Sequence, residues 1–338
     1  MTTGIWLQGV AAAGAAGAAS LAGTRLALGY LRRRRILDRP NERSSHKIPT
    51  PRGGGLGVTP AVLLVWAALA AAGGAEARWA WPLIAGALVL MAASWADDRL
   101  DLPPGPRFLV QIGAVGGALW LVPPAALAFQ GILPLWADRV IVALGWLWFV
   151  NLYNFMDGID GITGIETTSL GLGIAVIAAM AGAAANAIPF ALAAAGAALG
   201  FLVWNWHPAR VFLGDVGSVP LGFLLGGLLL HLALAGQLAA AVILPAYYLA
   251  DATITLGRRA LRREKVWRAH RQHFYQRAVQ GGRRHDQVAL AVLAGNLLLI
   301  AAATAAAAGH TAGGAAAAVT VLALLLGLLG SWSRGRAA

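Results

Sequence analysis

The chain has 338 residues, of which 59% are hydrophobic and only 12% charged; a soluble domain carries about a quarter charged residues. Apolar runs of about 18 residues or more recur along its length, so it reads as an all-α polytopic membrane protein. With no cysteine it has no disulfide, no thiolate nucleophile and no Cys-ligated metal.

Taken in chain order, the hydropathy pattern predicts spans at 4–31, 55–75, 79–96, 107–123, 139–156, 162–182, 187–204, 217–235, 238–256, 288–308 and 314–332, about eleven in all. The first lacks a basic region ahead of its apolar run and reads as a retained helix rather than a secretory leader. An odd number of spans places the termini on opposite sides. Of the 26 Lys and Arg, 23 fall in or at the border of the connectors after alternate helices. By the positive-inside rule those connectors are cytoplasmic, the N-terminus lies outside and the C-terminus inside. The net charge of +12 is therefore read as topological and facing lipid headgroups, and nucleic acid is not an expected partner. Residues 1–338 form one membrane domain without internal repeats. Its 43 glycines suit close helix approach in lipid.

The polar residues collect on the predicted cytoplasmic side. Asp97, Asp98 and Asp101 follow the third span. Asn151, Asn154, Asp157 and Asp160 stand in "NLYNFMDGIDGITG", Asn205 and Asp215 in "WNWHPARVFLGDVGS", and Asp251 in "YYLADATITLGRR". A charge in mid-bilayer costs about 2.5–3.5 kcal/mol, and unpaired carboxylates repel one another. A divalent cation is the natural counter-charge, and a set of hard oxygen donors without Cys selects Mg²⁺, or Mn²⁺, over zinc. Paired aspartates after one span are also ordinary loop solvation; four clusters on one face are not. Asn154, Asp157 and Asp160, at i, i+3 and i+6, would share a helix face before the glycines turn the chain. Lys47, Arg52 and the triple glycine of "HKIPTPRGGG" suit phosphate wrapping by backbone N–H groups. Trp267, Phe274 and Tyr275 in the ninth connector suit the membrane interface.

Four ordered motifs, "SSHKIPTPRGGG", "ASWADDRLDLPPGPR", "NLYNFMDGIDGITG" and "VFLGDVGS", resemble the polyprenyl-phosphate N-acetylhexosamine-1-phosphate transferase superfamily over about residues 32–290. The resemblance implies an enzyme of the bacterial inner membrane with its active site on the cytoplasmic face, in the loops 32–55, 97–107, 151–164, 205–218 and 257–287. It implies Mg²⁺-dependent transfer of a sugar 1-phosphate from a UDP-sugar to undecaprenyl phosphate, with release of UMP, and a homodimer as one form of assembly. By motif, Asp215 and Asn154 would be metal ligands, and Asp97 and Asp98 would manage the lipid phosphate. Asp157, counted also with the catalytic carboxylates, would line the nucleoside pocket with Asp160, Asn205 and a stacking Phe212. Lys47, Arg52 and Asn151 would add substrate contacts.

One stretch departs from the family pattern. Many relatives carry His-x-His-His in the ninth connector, whereas this chain reads "HRQHFYQ", closer to the subgroup that begins O-antigen and capsule chains. His273 would then be catalytic, and His270 and Arg271 would contact the sugar phosphate. Within the superfamily a phospho-N-acetylmuramoyl-pentapeptide transferase is the alternative; outside it, a transporter, which would place its charges near mid-span.

Overall fold

The computed structural model describes residues 2–40, 45, 48–100, 103–266 and 270–335; Lys47, Asp101 and Trp267 lie outside the described residues. The chain is helical, with α1 at Thr2–Arg33, α2 at Gly55–Gly73, α3 at Ala80–Leu100, α4 at Pro104–Trp120, α5 at Leu135–Phe155, α6 at Ile162–Ala181 and α7 at Ile188–Asn205. There follow α8 at Asp215–Leu232, α9 at Leu238–Ile243, α10 at Ala246–Leu261, α11 at Phe274–Gln280, α12 at His285–Ala307 and α13 at Thr311–Trp332. The described strands are β1 (Leu37–Asp38) and β2 (Thr50–Pro51), an antiparallel pair ahead of α2.

Among the described residues nine helical segments are long and apolar enough to cross a membrane, where eleven spans were expected. The two exceptions have physical causes. The expected span at 107–123 forms as α4, whose 17 residues stand at the short end of the crossing range. The expected span at 238–256 is broken: α8 runs through a π turn, in which Gly236 has φ +84°, into α9. Pro245 then stands as the N-cap of α10, where its missing N–H and fixed φ end one helix and start another. Helix α10 carries Asp251, Arg258 and Arg259 within 16 residues, too short and too polar to span.

Helices α6, α7 and α8 form the buried centre, and α1 and α13 expose most of their apolar surface at the periphery. Small residues set the spacing. A Cβ at Gly196 would lie 2.1 Å from the Ala13 carbonyl oxygen, and one at Gly200 would lie 2.2 Å from that of Gly17, so α1 and α7 touch backbone to backbone. Inside the bundle Asn296 Nδ2 of α12 donates to Glu166 Oε2 of α6 at 2.7 Å, a polar cross-link between buried side chains. Successive helices deliver alternately a C-terminus (α3, α5, α7) and an N-terminus (α2, α4, α6, α8) to one end of the bundle. The polar motifs meet there.

Candidate active site

The site is built on two helix starts pressed together. Gly53, at φ +121°, and Gly54 donate their N–H groups to the Phe212 carbonyl at 3.1 and 2.8 Å; Gly55 donates to Leu213 O at 2.8 Å, and Phe212 N–H returns a bond to Pro51 O at 2.8 Å. These glycine amides therefore have protein partners and do not form the phosphate cradle the sequence suggested. Their purpose is steric: a Cβ on Gly55 would lie 2.3 Å from Gly217 N and 2.4 Å from its Cα. Any larger residue would separate the N-termini of α2 and α8.

That contact places Arg52 beside Asp215, the first residue of α8. Arg52 Nη2 lies 2.6 Å from Asp215 Oδ1 and 3.1 Å from Asp98 Oδ1, on the last turn of α3. Asp98 Oδ2 accepts the Val216 N–H at 3.2 Å, satisfying one of the free amides at the start of α8 from a different helix. Asp97 is paired with Arg107 of α4 at 2.5 Å, and the same guanidinium stands 3.9 Å from Asp215 Oδ2. The Asp98 side chain is only 4% exposed and that of Asp215 15%, against 39% for Arg52 and 37% for Arg107. The two arginines thus form the solvent-facing cover of a sunken carboxylate cluster. Attraction to Asp215, Asp98 and Asp38 outweighs burial and raises the Arg52 guanidinium pKa, so it stays charged. Arg107 lies within a quoted motif and was passed over; its signal is the paired prolines that open α4 beside the aspartates.

From the end of α5, Asn154 Nδ2 donates to Asp215 Oδ2 at 3.3 Å while its Oδ1 accepts from Ser218 Oγ at 3.1 Å. In this orientation the amide oxygen is taken, and metal ligation through it requires the amide to rotate. Asn151 is turned aside, donating to Gln111 Oε1 and Leu147 O at 2.7 Å each. A cavity of about 60 Å³ lies between Asp97, Arg107, Gln111, Asn154 and Asp215. It has room for an ion with a water or two.

Asn154, Asp157 and Asp160 do not share a helix face, because α5 ends at Phe155 and the chain turns before the second member. Asp157, half-buried, accepts from Thr163 Oγ1 at 2.6 Å. Burial pushes its carboxyl up to about 6, with the Thr163 bond and the charge of Arg52 opposing. Asp160 points elsewhere. Its Oδ2 meets His207 Nδ1 at 2.6 Å, the Ala209 N–H at 3.2 Å and His285 Nδ1 at 3.2 Å. Burial alone would raise its pKa, but the bonds and charge from His285, then His207 and Ala209, hold it below the ordinary carboxylate value.

Asn205 is 3% exposed and spends its amide on the chain: Oδ1 accepts from Gly161 N–H and Nδ2 donates to Val211 O, both at 2.9 Å. Asp160 and Asn205 therefore shape the wall expected to hold a nucleoside, by tying the 156–161 turn to the 206–214 segment. Phe212 is half-buried beside them. His207 and His285 were missed by the sequence reading, and they complete the group of three potential metal-binding side chains found among the described residues.

The ninth connector folds back over this turn. His273 is 2% exposed, with Nδ1 3.3 Å from Asp251 Oδ1. Asp251 also accepts the N–H groups of Phe274 and Tyr275, at 3.0 and 3.3 Å, and so anchors the start of α11. The expectation of an interfacial Tyr275 is overturned: it is fully buried and donates to Phe155 O at 3.1 Å, under the 156–161 turn. His270 stacks on His273 with ring centres 4.7 Å apart; burial, then the neighbouring charge of His273, lowers it to about 4. Arg271 lines a separate cleft.

Beside Asn151 and Phe155 opens an apolar groove of about 560 Å³ between α4, α5 and α10, walled by Phe108, Leu147, Trp148 and Leu256. A cluster of acids and arginines beside such a groove can hold a phosphorylated head with its hydrocarbon tail in lipid.

Residues 80–233 match glycosyl transferase family 4. The chain is 28% identical, over 76% of its length and 73% of the relative's, to the probable undecaprenyl-phosphate N-acetylglucosaminyl 1-phosphate transferase of Bacillus subtilis. It is 32% identical to the decaprenyl-phosphate N-acetylglucosaminephosphotransferase of Mycolicibacterium smegmatis, over 55% of this chain and 51% of that one. With the phospho-N-acetylmuramoyl-pentapeptide-transferase of a Synechococcus strain it shares 33% identity, over 61% of this chain and 62% of the relative. The chain thus spans from about half to three quarters of these relatives' lengths. Over the residues matched, the chain is thus similar to glycosyl transferase family 4 and to polyprenyl-phosphate sugar-1-phosphate transferases.

Proposed function

We propose that this chain transfers an N-acetylated hexosamine 1-phosphate from a UDP-sugar to undecaprenyl phosphate, on the cytoplasmic face of the bacterial inner membrane. UMP leaves, and the polyprenyl-diphosphate sugar starts a cell-surface polysaccharide of O-antigen type. The observation that carries this reading is the convergence of Asp97 and Asp98 (α3), Arg107 (α4), Asn154 (α5) and Asp215 (α8) with Arg52, next to an apolar groove. The names of the relatives point the same way.

The donors suit Mg²⁺, with Mn²⁺ as a substitute: Asp215 and Asp98 offer carboxylate oxygens, Asn154 an amide oxygen after rotation, and the adjoining cavity admits water. When bound, the ion would neutralise diphosphate charge at the centre being displaced. The chain's own residues do the rest. Arg52 and Arg107, half-exposed over the acids, would exchange carboxylate contacts for phosphate oxygens, which guanidinium groups bind in the same bidentate manner. A lipid phosphate with a second pKa near 6 is mostly dianionic at pH 7 and needs little activation. Asp157, near 6 itself, is matched to take the proton of the minor monoanion through Oδ2, since Thr163 holds Oδ1. Asp98 is the poorer base, because Arg52 and the Val216 amide already hold its oxygens. Its role would be to hold the ion with Asp215 and so orient the acceptor. His273, pinned by Asp251, fixes the start of α11 and the stacked ring of His270 beside the 156–161 turn, while Arg271 faces a separate cleft.

The reaction is written as a single in-line displacement: acceptor oxygen bonds to the sugar-bearing phosphorus as the bond to the UMP oxygen breaks. Trapping a labelled sugar phosphate on the protein without acceptor lipid would establish the covalent aspartyl route instead. The Synechococcus relative favours a second reading, transfer of phospho-N-acetylmuramoyl-pentapeptide, against which stands "HRQHFYQ". Purified protein, undecaprenyl phosphate and Mg²⁺ incubated with a panel of UDP-sugars, the pentapeptide donor included, decides between them by UMP release. No release with any donor removes the proposal.

A further inference from the structure

Helix α10 presents two unlike faces. Thr253, Leu256, Gly257 and Ala260 line the apolar groove, while Thr255, Arg258 and Arg262, half a helical turn away, line a second cleft of about 400 Å³. Its remaining walls are Arg271 and Gln272 of the following loop and Arg277 and Gln280 of α11. Four guanidinium groups from three elements thus share one concavity, and among the described residues no carboxylate lines it.

Elsewhere Arg52, Arg107, Arg139, Arg259 and Arg284 each pair with Asp or Glu, while Arg99 and Arg210 stand over tryptophan rings. Arg258, Arg262, Arg271 and Arg277 take no part in the ion pairs among the described residues. Arg258 stands over the Phe274 ring at 5.0 Å and Arg277 makes one 3.5 Å contact with Ser333 Oγ. The nearby Glu264 is occupied, accepting from Arg259 Nε at 2.8 Å and Gln272 Nε2 at 3.2 Å. The cleft is also braced, for Gln280 Nε2 donates to the Arg271 carbonyl at 2.7 Å. Four like charges gathered in one cleft repel, though all four are exposed and screened by water, and an anion would complete the group. The cleft is distinct from the carboxylate site. Tyr275 and Gln276 are the α11 residues beside Gly158 of the 156–161 turn, whereas Arg277 and Gln280 are exposed.

We propose that this cleft binds a phosphate-bearing anion, independently of the transferase site. Guanidinium forks match phosphate oxygens, and the second N–H of the Gln272 and Gln280 amides adds neutral donors, whereas Thr255 already donates to Asp251 Oδ1 at 3.3 Å. An amphipathic helix with an apolar groove on one side and arginines on the other is suited to a membrane surface, where the abundant phosphate is an anionic phospholipid headgroup. A soluble phosphate or diphosphate offers the same chemistry. The test uses the full chain in neutral detergent, titrated with phosphatidylglycerol, phosphatidylcholine or inorganic pyrophosphate, with retention read by native mass spectrometry. The comparison is the triple variant Arg258→Gln, Arg262→Gln, Arg277→Gln, which leaves Arg271 in place. Wild type should hold phosphatidylglycerol about tenfold more tightly than phosphatidylcholine, and the triple variant should lose about tenfold. The matching Arg→Lys triple should stay within about threefold of wild type, which separates lost charge from lost fold. Competition by pyrophosphate assigns the cleft to a soluble ligand; its failure to compete assigns it to the headgroup. Equal phosphatidylglycerol retention by wild type and the Gln triple, or no retention of any phosphate probe by wild type, overturns the proposal.

Discussion

Replacing Gly55 by Ala tests whether the α2–α8 contact sets the geometry of the carboxylate cluster. The added Cβ would lie 2.3 Å from Gly217 N, 2.4 Å from Gly217 Cα and 2.7 Å from the Val216 carbonyl carbon. Ordinary contact begins near 3.4 Å, so the two backbones must part by about 1 Å, and backbone cannot swing aside as a side chain does. Such a shift carries Asp215 away from Arg52, now 2.6 Å off, and lengthens the Val216–Asp98 bond, already 3.2 Å, beyond useful range. Overpacking of this kind costs about 1–3 kcal/mol, and misplacing a reacting group by about 1 Å costs on the order of 100-fold in rate. The assay is UMP release at saturating donor, with thermal unfolding in parallel. Gly116→Ala is the control, since nothing lies within 4 Å of its added Cβ; its rate should stay that of wild type. A Gly55→Ala protein that releases UMP within about twofold of wild type would refute the reasoning.

Arg52→Gln removes the cation shared by Asp98 and Asp215, whose oxygens can be no more than about 6 Å apart, a repulsion of ~3 kcal/mol at an effective dielectric near 20. The variant should gain more melting temperature from Mg²⁺ than wild type does; an equal gain would mean the two acids do not share a cation. Asn205→Ala leaves the Gly161 N–H and the Val211 carbonyl without their partner, at about 1–3 kcal/mol each. Its melting temperature should fall, and an unchanged value would show that water replaces the amide. Asp157 has a folded pKa raised from 3.8 to about 6, so the folded state holds more protons than the unfolded one between those values. Stability from this group therefore falls as pH rises from about 4 through about 6, by at most ~2–3 kcal/mol and less for a half-buried side chain. Melting curves of wild type and Asp157→Asn should diverge over that window, and parallel curves would remove the shift.

The acids of the cluster were legible because spacing and glycine punctuation mark them: Asp97, Asp98 and Asp215 sit at helix ends, where a buried charge can reach both partner and solvent. What a polar side chain does there was not legible. Asn205 and Asp160 have the same residue types as substrate contacts, yet their atoms satisfy buried backbone and histidines. His207 and His285 are 47 and 125 residues from Asp160, and no local pattern pairs them. The triple glycine suggested a phosphate loop because glycine permits both a bare amide cradle and a close backbone approach. Only the position of α8 decides which. Helix number was the least secure reading, since an apolar run broken by Pro245 has the composition of a continuous span.

Mn²⁺ titration of the purified protein, followed by electron paramagnetic resonance, bears most directly on the claim that Asp98, Asp215 and Asn154 hold one divalent ion. Wild type should bind one Mn²⁺ that Mg²⁺ displaces. Asp215→Ala should lose that site while keeping a wild-type fold, and Asp160→Asn should keep it. Binding that survives Asp215→Ala, or several weak equivalent sites in place of one, would contradict the account.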